Sequence, residues 1–388
     1  MKCTMRFPYR IHLSKPHMGE WERQFVDEAF SENWISTVGR HLNELEREFS
    51  EYSGLPSVAI ASGTAGIHLG LKLLGVKEGD EVVSPTLTFA GGCNPILYER
   101  ATPVFVDSDR ASWNIDPALL TDLLERRAAC GRLPRAVIVA HLFGQCADMD
   151  PIMEVCGRFE VPVLEDAAEA LGSSYRGRIP GTIGEVGVYS LNGNKIITGS
   201  TGGLLVAHDE KRVTKARFWA TQARDPGGDY LHSELGYNYR MSNIVAAIAR
   251  GQFRVLETRV RERRGVAFRY QDAFSELPGI ELMPQAEYGV HTNWLSCFLI
   301  DEERFGISRD RLISVLNDAN VEARPVWRPM HLQKLYLGAE VVGGAVAEDL
   351  NRRGICLPSS SSLTEGEQTF VIDRIREAYS YVTGANRT

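Results

Sequence analysis

The sequence predicts an α/β fold: a mostly parallel central sheet with helices on both faces, followed by a smaller α+β C-terminal domain. Three observations carry this. From Ser57 onward, short apolar runs alternate with segments of helical period, the order that a crossover-connected parallel sheet requires. Those runs are apolar at every position, as in AVIVA at 136–140, so the strands are to be buried on both faces. After Gln252 the chain turns into a long charged helical stretch. That change places a division at 254/255, with residues 1–254 as a large domain and its lead-in, and 255–388 as a small one.

The elements follow in order. The lead-in carries two helices by spacing, 20–31 through Trp21, Phe25, Val26 and Phe30, and 41–52 through Leu42, Leu45 and Phe49. Trp34 lies between them in a stretch without period. Residues 57–61 read as a strand and 65–74 as an apolar helix, joined by Ser62-Gly63-Thr64. A helix N-terminus offers free N–H groups and a positive dipole end to a phosphate. Gly63 lets the backbone come close and Thr64 adds a hydroxyl, although a plain N-cap explains the same residues. Further strands at 81–84, 102–106, 136–140 and 161–164 alternate with helices that begin after Phe89 and over 149–159.

In such sheets the ligand lies beyond the carboxyl ends of the strands. The 62–64 turn, Phe89, His141 and Asp166 all fall at such ends. Asp166 lies just past an apolar run, where a carboxylate needs a partner: a helix N-terminus to cap, or a cationic ring nitrogen. The next two strands, 186–190 and 202–207, flank NGNKIITGST and put Lys195 on the turn between them. A shielded lysine can lose its proton and attack a carbonyl; an ordinary loop lysine is the alternative. Farther on, 253–277 reads as one helix whose arginines form a solvated face. A strand at 294–300, a helix at 309–319 and a final helix from 366 complete the small domain.

Composition narrows the function. The 43 basic and 50 acidic residues leave a net charge of −7 with no long basic run, so no nucleic-acid footprint is expected. Seven cysteines lack CxxC spacing, which fits reduced thiols in a cytoplasm and excludes a zinc ribbon. No HExxH or similar pattern points to a metal. No run approaches the ~20 apolar residues of a membrane span, and the N-terminus lacks the apolar segment of a signal peptide. The first strand is not followed by GxGxxG, which argues against a nicotinamide-dependent oxidoreductase or epimerase.

A nucleophilic lysine, an aspartate for a ring nitrogen and a phosphate-binding turn are the protein parts that pyridoxal phosphate requires. With ASGTAGIHL, SPTLTFAGGCNPI, ATPVFVD, HLFGQCADMD, LEDAAEALGSSYRG, YSLNGNKIITGSTGG, GYNYRMSNIVAAIARGQ and RPVWRPMHLQ, the chain resembles the DegT/DnrJ type of nucleotide-sugar aminotransferase over about residues 13–383. The resemblance implies a fold-type-I pyridoxal-phosphate transferase. It implies that Lys195 bonds the cofactor and moves protons at the substrate carbon, and that Asp166 pairs with the pyridine nitrogen. Phe89 would stack on the ring, Glu169 would lie near its hydroxyl, and Gly63, Thr64 and Ser190 would hold its phosphate. Asn238 would reach the phosphate in the neighbouring subunit, which makes the enzyme a homodimer with shared sites. Trp34, Arg324, Trp327 and His331 would contact substrate, with core packing or a surface ion pair as the plainer reading of the first three.

The resemblance further implies L-glutamate as amino donor and a nucleotide-linked 4-keto-6-deoxy sugar as acceptor, for surface glycan or glycoconjugate biosynthesis. The wording NGNKIIT, NWISTVG and RPVWRPMH is most similar to the branch acting on UDP-linked N-acetyl sugars. A GDP-linked, perosamine-type acceptor and a non-catalytic regulator on the same fold are the alternatives. Where many relatives read TTGEGG after the lysine, this chain reads ITGSTGG, which weakens any transfer of substrate preference. A lysine at 195, in place of histidine, argues against the family's dehydrating branch.

Overall fold

The computed structural model describes residues 10–383; residues 1–9, on which the signal-peptide reading falls, and 384–388 lie outside the described residues. Two helices precede the sheet, α1 (Trp21–Ser31) and α2 (Arg40–Ser53). Strand and helix then alternate: β1 (Ser57–Ile60), α3 (Gly63–Leu73), β2 (Glu81–Pro85), α4 (Ala90–Tyr98), β3 (Thr102–Val106), α5 (Pro117–Ala129), β4 (Ala136–Ala140), α6 (Met149–Arg158) and β5 (Val163–Asp166). A short ribbon strand, β6 (Ser174–Tyr175), leads to β7 (Val186–Ser190), β8 (Gly203–Ala207), α7 (Glu210–Ala220) and α8 (Asn243–Phe253). The remainder comprises α9 (Leu256–Phe274), β9 (Ile280–Leu282), β10 (Gly289–Val290), β11 (Ser296–Ile300), α10 (Glu302–Phe305), α11 (Arg309–Asp318), β12 (Arg324–Pro325), β13 (Glu340–Val342), α12 (Ala345–Arg353), β14 (Gly354–Leu357) and α13 (Glu365–Thr383).

Among the described residues the large sheet runs β1-β8-β7-β5-β4-β2-β3-β13, and only β8 opposes the rest. Its strands are apolar at successive positions because both faces are covered. Val137 and Val139 of β4 pack with Leu120 and Ile152 of α5 and α6, while Ala136 and Ile138 pack with Leu69 and Val213 of α3 and α7. This is the period-two alternation of a strand serving two layers. Local signals set the helix starts. Ser62 accepts from the Ala65 N–H at 3.1 Å, and Asp116 accepts from Ala118 and Leu119 ahead of Pro117, both N-caps.

The C-terminal antiparallel sheet, in order β12-β14-β11-β9, has its own core of Tyr270, Phe274, Phe298, Leu312 and Ile375. The 254/255 division falls between α8 and α9, yet strand pairings cross it, among them β10 with β6, Gly289 opposite Tyr175. Ile11 bridges to Val321, and β13 pairs in parallel with β3, Glu340 opposite Val104 and Val342 opposite Val106.

Two sequence readings are corrected here. The stretch 253–277 is not one helix: α8 ends at Phe253 and α9 starts at Leu256. Its arginines are not uniformly solvated either, since Arg259 and Arg263 are buried. Arg263 lies where loop carbonyls of both units converge and need donors. Asp166 is the last residue of β5, not a residue past it, because the strand begins at Val163, after Pro162, which has no N–H to give a ladder.

Candidate active site

The carboxyl ends of β1, β2, β4, β5 and β7 open onto one cavity of about 620 Å³. Of the residues singled out from sequence, Gly63, Thr64, Phe89, Asp166, Glu169, Ser190, Lys195, Arg324 and Trp327 line it. The parallel order explains the convergence, because neighbouring strands that point the same way deliver their following turns to the same edge.

Lys195 sits on a turn closed by its own N–H donating to the Asn192 carbonyl at 3.1 Å. Its Nζ donates to Glu169 Oε1 at 3.1 Å and lies 4.1 Å from the centre of the Trp294 ring. Glu169 Oε2 accepts from the Phe143 N–H at 2.9 Å. Burial pushes the Glu169 carboxyl up, and the Lys195 ammonium pulls it back.

Asp166 is 8% exposed and has no ion-pair partner within 4 Å among the described residues. Its Oδ1 accepts from the Ala168 N–H at 3.1 Å. Burial pushes this carboxyl above its ordinary value, against smaller opposing effects of the Ala168 N–H and Lys195. The other carboxylate oxygen faces the start of α4, where a Cβ on Gly92 would come within 2.9 Å of it. A Cβ on Gly91 would come within 2.8 Å of Thr64 Oγ1. Glycine at both places leaves these oxygens clear. Beside them, the Cβ of Ser190 lies 3.1 Å from where a Gly63 side chain would begin, so Gly63 lets the α3 N-terminus and the end of β7 close together.

These residues fit pyridoxal phosphate. A buried carboxylate lacking a cation suits a protonated ring nitrogen. The Thr64 and Ser190 hydroxyls at the N-terminus of α3 suit its phosphate, and the Lys195 amine suits its aldehyde. Replacing Gly92 with alanine is expected to weaken cofactor binding about tenfold, the factor corresponding to ~1.4 kcal/mol, by displacing the Asp166 carboxylate. Titration of the cofactor absorbance checks this; an unchanged affinity would show that the close approach is idle.

Glu165, one residue before Asp166, projects to the opposite side of β5. It accepts from His141 Nε2 at 2.9 Å and from the N–H groups of Gly181, Ile183 and Gly184. Burial would raise its carboxyl, but the His141 and backbone bonds hold it low. His141 Nδ1 accepts from the Ala147 N–H at 3.2 Å, which assigns the ring proton to Nε2. The pair ties the ends of β4 and β5 together under the cavity.

Aromatic side chains form the outer wall. Phe89 is 59% exposed at the rim, with its ring 5.5 Å from that of Trp327. Arg324 is also at the rim and pairs with Glu322 at 2.8 Å. Three residues singled out from sequence are not brought together with the rest. His331 is held between Thr86 Oγ1 at 2.6 Å and Glu348 at 3.1 Å. Trp34 is half exposed away from the cavity, and its carbonyl accepts from Asn243 at 2.7 Å. Asn238 is exposed on the surface, between Tyr237 and Tyr239, whose rings stack at 4.9 Å. The stretch HTNWLSC at 291–297 reads from sequence as facing the cleft, and its Trp294 lines the cavity, as does His141; sequence reasoning had no signal for the contact of Trp294 with Lys195 or for Glu165 as the partner of His141, because both contacts join distant parts of the chain.

The family model described as DegT/DnrJ/EryC1/StrS aminotransferase family matches residues 16–376. EpsN of Bacillus subtilis, named as a pyridoxal phosphate-dependent aminotransferase, is 47% identical over 94% of each chain. A GDP-perosamine synthase of Caulobacter vibrioides is 36% identical over 96% of this chain and 98% of its own. Among solved structures, the aminotransferase TlmJ of Streptoalloteichus hindustanus superposes with a TM-score of 0.86 at 30% identity, covering 96% of this chain and 99% of its own.

Proposed function

Because the chain belongs to the DegT/DnrJ/EryC1/StrS aminotransferase family, and is therefore a pyridoxal-phosphate-dependent sugar aminotransferase of the fold-type-I class, we propose its substrates and the role of each site residue. The amino group passes from L-glutamate to the 4-keto carbon of a UDP-linked 4-keto-6-deoxy N-acetyl sugar, for glycan biosynthesis in the cytoplasm. The observation that carries the catalytic reading is the single cavity onto which the Lys195 amine, the unpaired Asp166 carboxylate and the N-terminus of α3 all open.

When bound, the cofactor supplies an electron sink for the carbon that loses its proton. The protein does the rest. Lys195 holds the cofactor and then moves the proton at the reacting carbon, with Glu169 orienting its amine. Asp166 keeps the ring nitrogen protonated through a charge-assisted hydrogen bond. Thr64, Ser190 and Gly63 seat the phosphate. Phe89 covers the ring, and Trp327 and Arg324 meet the sugar and its diphosphate at the rim.

The UDP-linked acceptor rests on the wording of NGNKIIT, NWISTVG and RPVWRPMH. Similarity to a GDP-perosamine synthase supports a second reading, in which the acceptor is GDP-4-keto-6-deoxymannose. An amination assay against UDP-, GDP- and dTDP-linked 4-keto-6-deoxy sugars, with products identified by mass and NMR, decides between them. Turnover of the GDP sugar alone would overturn the first reading. Among the described residues no helix is long and apolar enough to cross a membrane.

We also read the enzyme as a homodimer whose sites are shared through Asn238. This residue is exposed and off its own cavity, while Arg240 nearby is tied down by Glu46 and the Ala59 carbonyl. The segment is thus tied to α2 and β1 beside Asn238, which is itself exposed. Asn238→Ala is expected to weaken cofactor binding about tenfold, since a lost bond to a charged group is worth roughly 1.5 kcal/mol or more. Turnover at saturating cofactor should survive. Mixing Asn238→Ala with Lys195→Ala subunits should create one site per heterodimer that binds cofactor with wild-type affinity; no such site in a mixture shown by native mass spectrometry to have exchanged subunits would place the contact within one chain.

A further inference from the structure

We propose that Trp294 is a positioning residue for Lys195: its ring face holds the lysine amine whenever that amine is free, and its N–H clamps the turn that carries it. The proposal rests on the reading of Lys195 as the cofactor-bearing lysine.

Trp294 comes from the C-terminal half of the chain, just ahead of β11, and is 2% exposed. Its indole meets the lysine turn twice. The ring centre lies 4.1 Å from Lys195 Nζ. The indole Nε1 donates to the Asn194 carbonyl at 2.7 Å, the oxygen of the peptide that enters Lys195. The same carbonyl accepts from Ser14 Oγ at 2.6 Å. Behind the indole, the buried Arg263 donates to the Trp294 carbonyl at 2.6 Å and reaches the Lys195 carbonyl at 3.4 Å. Phe143 stacks near the ring at 6.4 Å, with the planes 19° apart.

An amine between a carboxylate and an indole face has two attractions that hold it in place, Glu169 by charge and hydrogen bond and the ring by its quadrupole. Both gain strength where water is excluded. A transamination cycle frees the lysine amine so that another nitrogen can take its place, and the freed amine must then stay within reach of the reacting carbon. Proton transfer by a side chain depends on that reach. Trp294 and Glu169 supply a resting place at the right spot, and the Asn194 clamp keeps the main chain from carrying the amine away.

The test uses cofactor-free protein, so it does not depend on turnover. Tryptophan at 294 is replaced site-specifically by mono-, di- and trifluorinated tryptophan, which weakens the ring face stepwise while keeping its shape and its N–H. Acetylation of Lys195 by an N-hydroxysuccinimide ester is followed by peptide mass spectrometry and normalised to the surface Lys211. The rate is expected to climb with each fluorine, by about three- to tenfold across the series; a flat series overturns the amine-holding role. Trp294→Phe keeps an aromatic face and removes the N–H. It should leave Lys195 labelling within about twofold of wild type and speed amide exchange over 192–199 severalfold, and unchanged exchange overturns the clamp. Failure of the underlying reading would show separately, as a wild-type protein whose Lys195 forms no reducible adduct with pyridoxal phosphate.

Discussion

Lys195→Ala is expected to abolish turnover, with kcat reduced at least ~10³-fold, in a protein that still folds. In the proposed mechanism its amine is both the covalent attachment and the mover of the proton, and a positioned acid–base group alone contributes about 10²- to 10⁴-fold. The fold should survive because the turn is held by its main chain. The Lys195 N–H donates to Asn192, and the carbonyls of Asn194 and Lys195 accept from Ser14, Trp294 and Arg263. Glu169 loses its cation, but its carboxyl is already raised by burial and can take a proton, while it keeps the Phe143 N–H. Steady-state assays with the aminated sugar as readout, beside thermal melts of both proteins, check this. Residual activity within tenfold of wild type would remove Lys195 from the chemistry.

Asp166→Asn is expected to lose roughly 10²- to 10³-fold in kcat. Removing one partner of a buried charged pair costs about 3–5 kcal/mol, and an amide cannot keep a ring nitrogen protonated. The cofactor-free protein supplies an independent check through pH. The Asp166 carboxyl is raised by burial in the fold. A carboxyl with a raised folded value contributes stability that is fully present below the ordinary aspartate range and is lost as pH rises through the folded value. Asparagine has no such loss. Cofactor-free Asp166→Asn should therefore match wild type near pH 4 and melt at a higher temperature by pH 7. Parallel melting curves across that window, or activity close to wild type, would make Asp166 a helix cap only.

Much of the site was legible because it sits where chain order and local period are informative. Gly63, Asp166, Ser190 and Lys195 each follow a short apolar run, and a parallel sheet sends such positions to one edge. What stayed hidden depends on distant partners. The charged period of α9 looks like a solvated helix, yet Arg263 is spent on carbonyls from Trp294 and Ser359. His141 was placed at a strand end, but its pairing with Glu165 spans two strands and has no local signature. Strand β13, EVV, is too short to announce itself, and its membership of the large sheet rests entirely on the open edge of β3. Glutamate 169 was named through family resemblance, and only the geometry shows it touching Lys195. Asn238 and His331 stand off the cavity for the same reason in reverse: a motif carries residue types, not the surface on which they finally lie.

The pairing of β13 with β3 also bears on the order in which this chain can be made. On a ribosome, Thr102–Val106 emerges early, and its outer neighbour, Glu340–Val342, emerges only near the end of synthesis. For most of that time one margin of the nascent sheet carries unpaired N–H and C=O groups, the template on which strands of other chains can add. Domains commonly settle in order from the N-terminus as they are synthesised, but here the first cannot seal its own boundary. The sheet that the N-terminal part of the chain begins is therefore completed only by a strand from its C-terminal part.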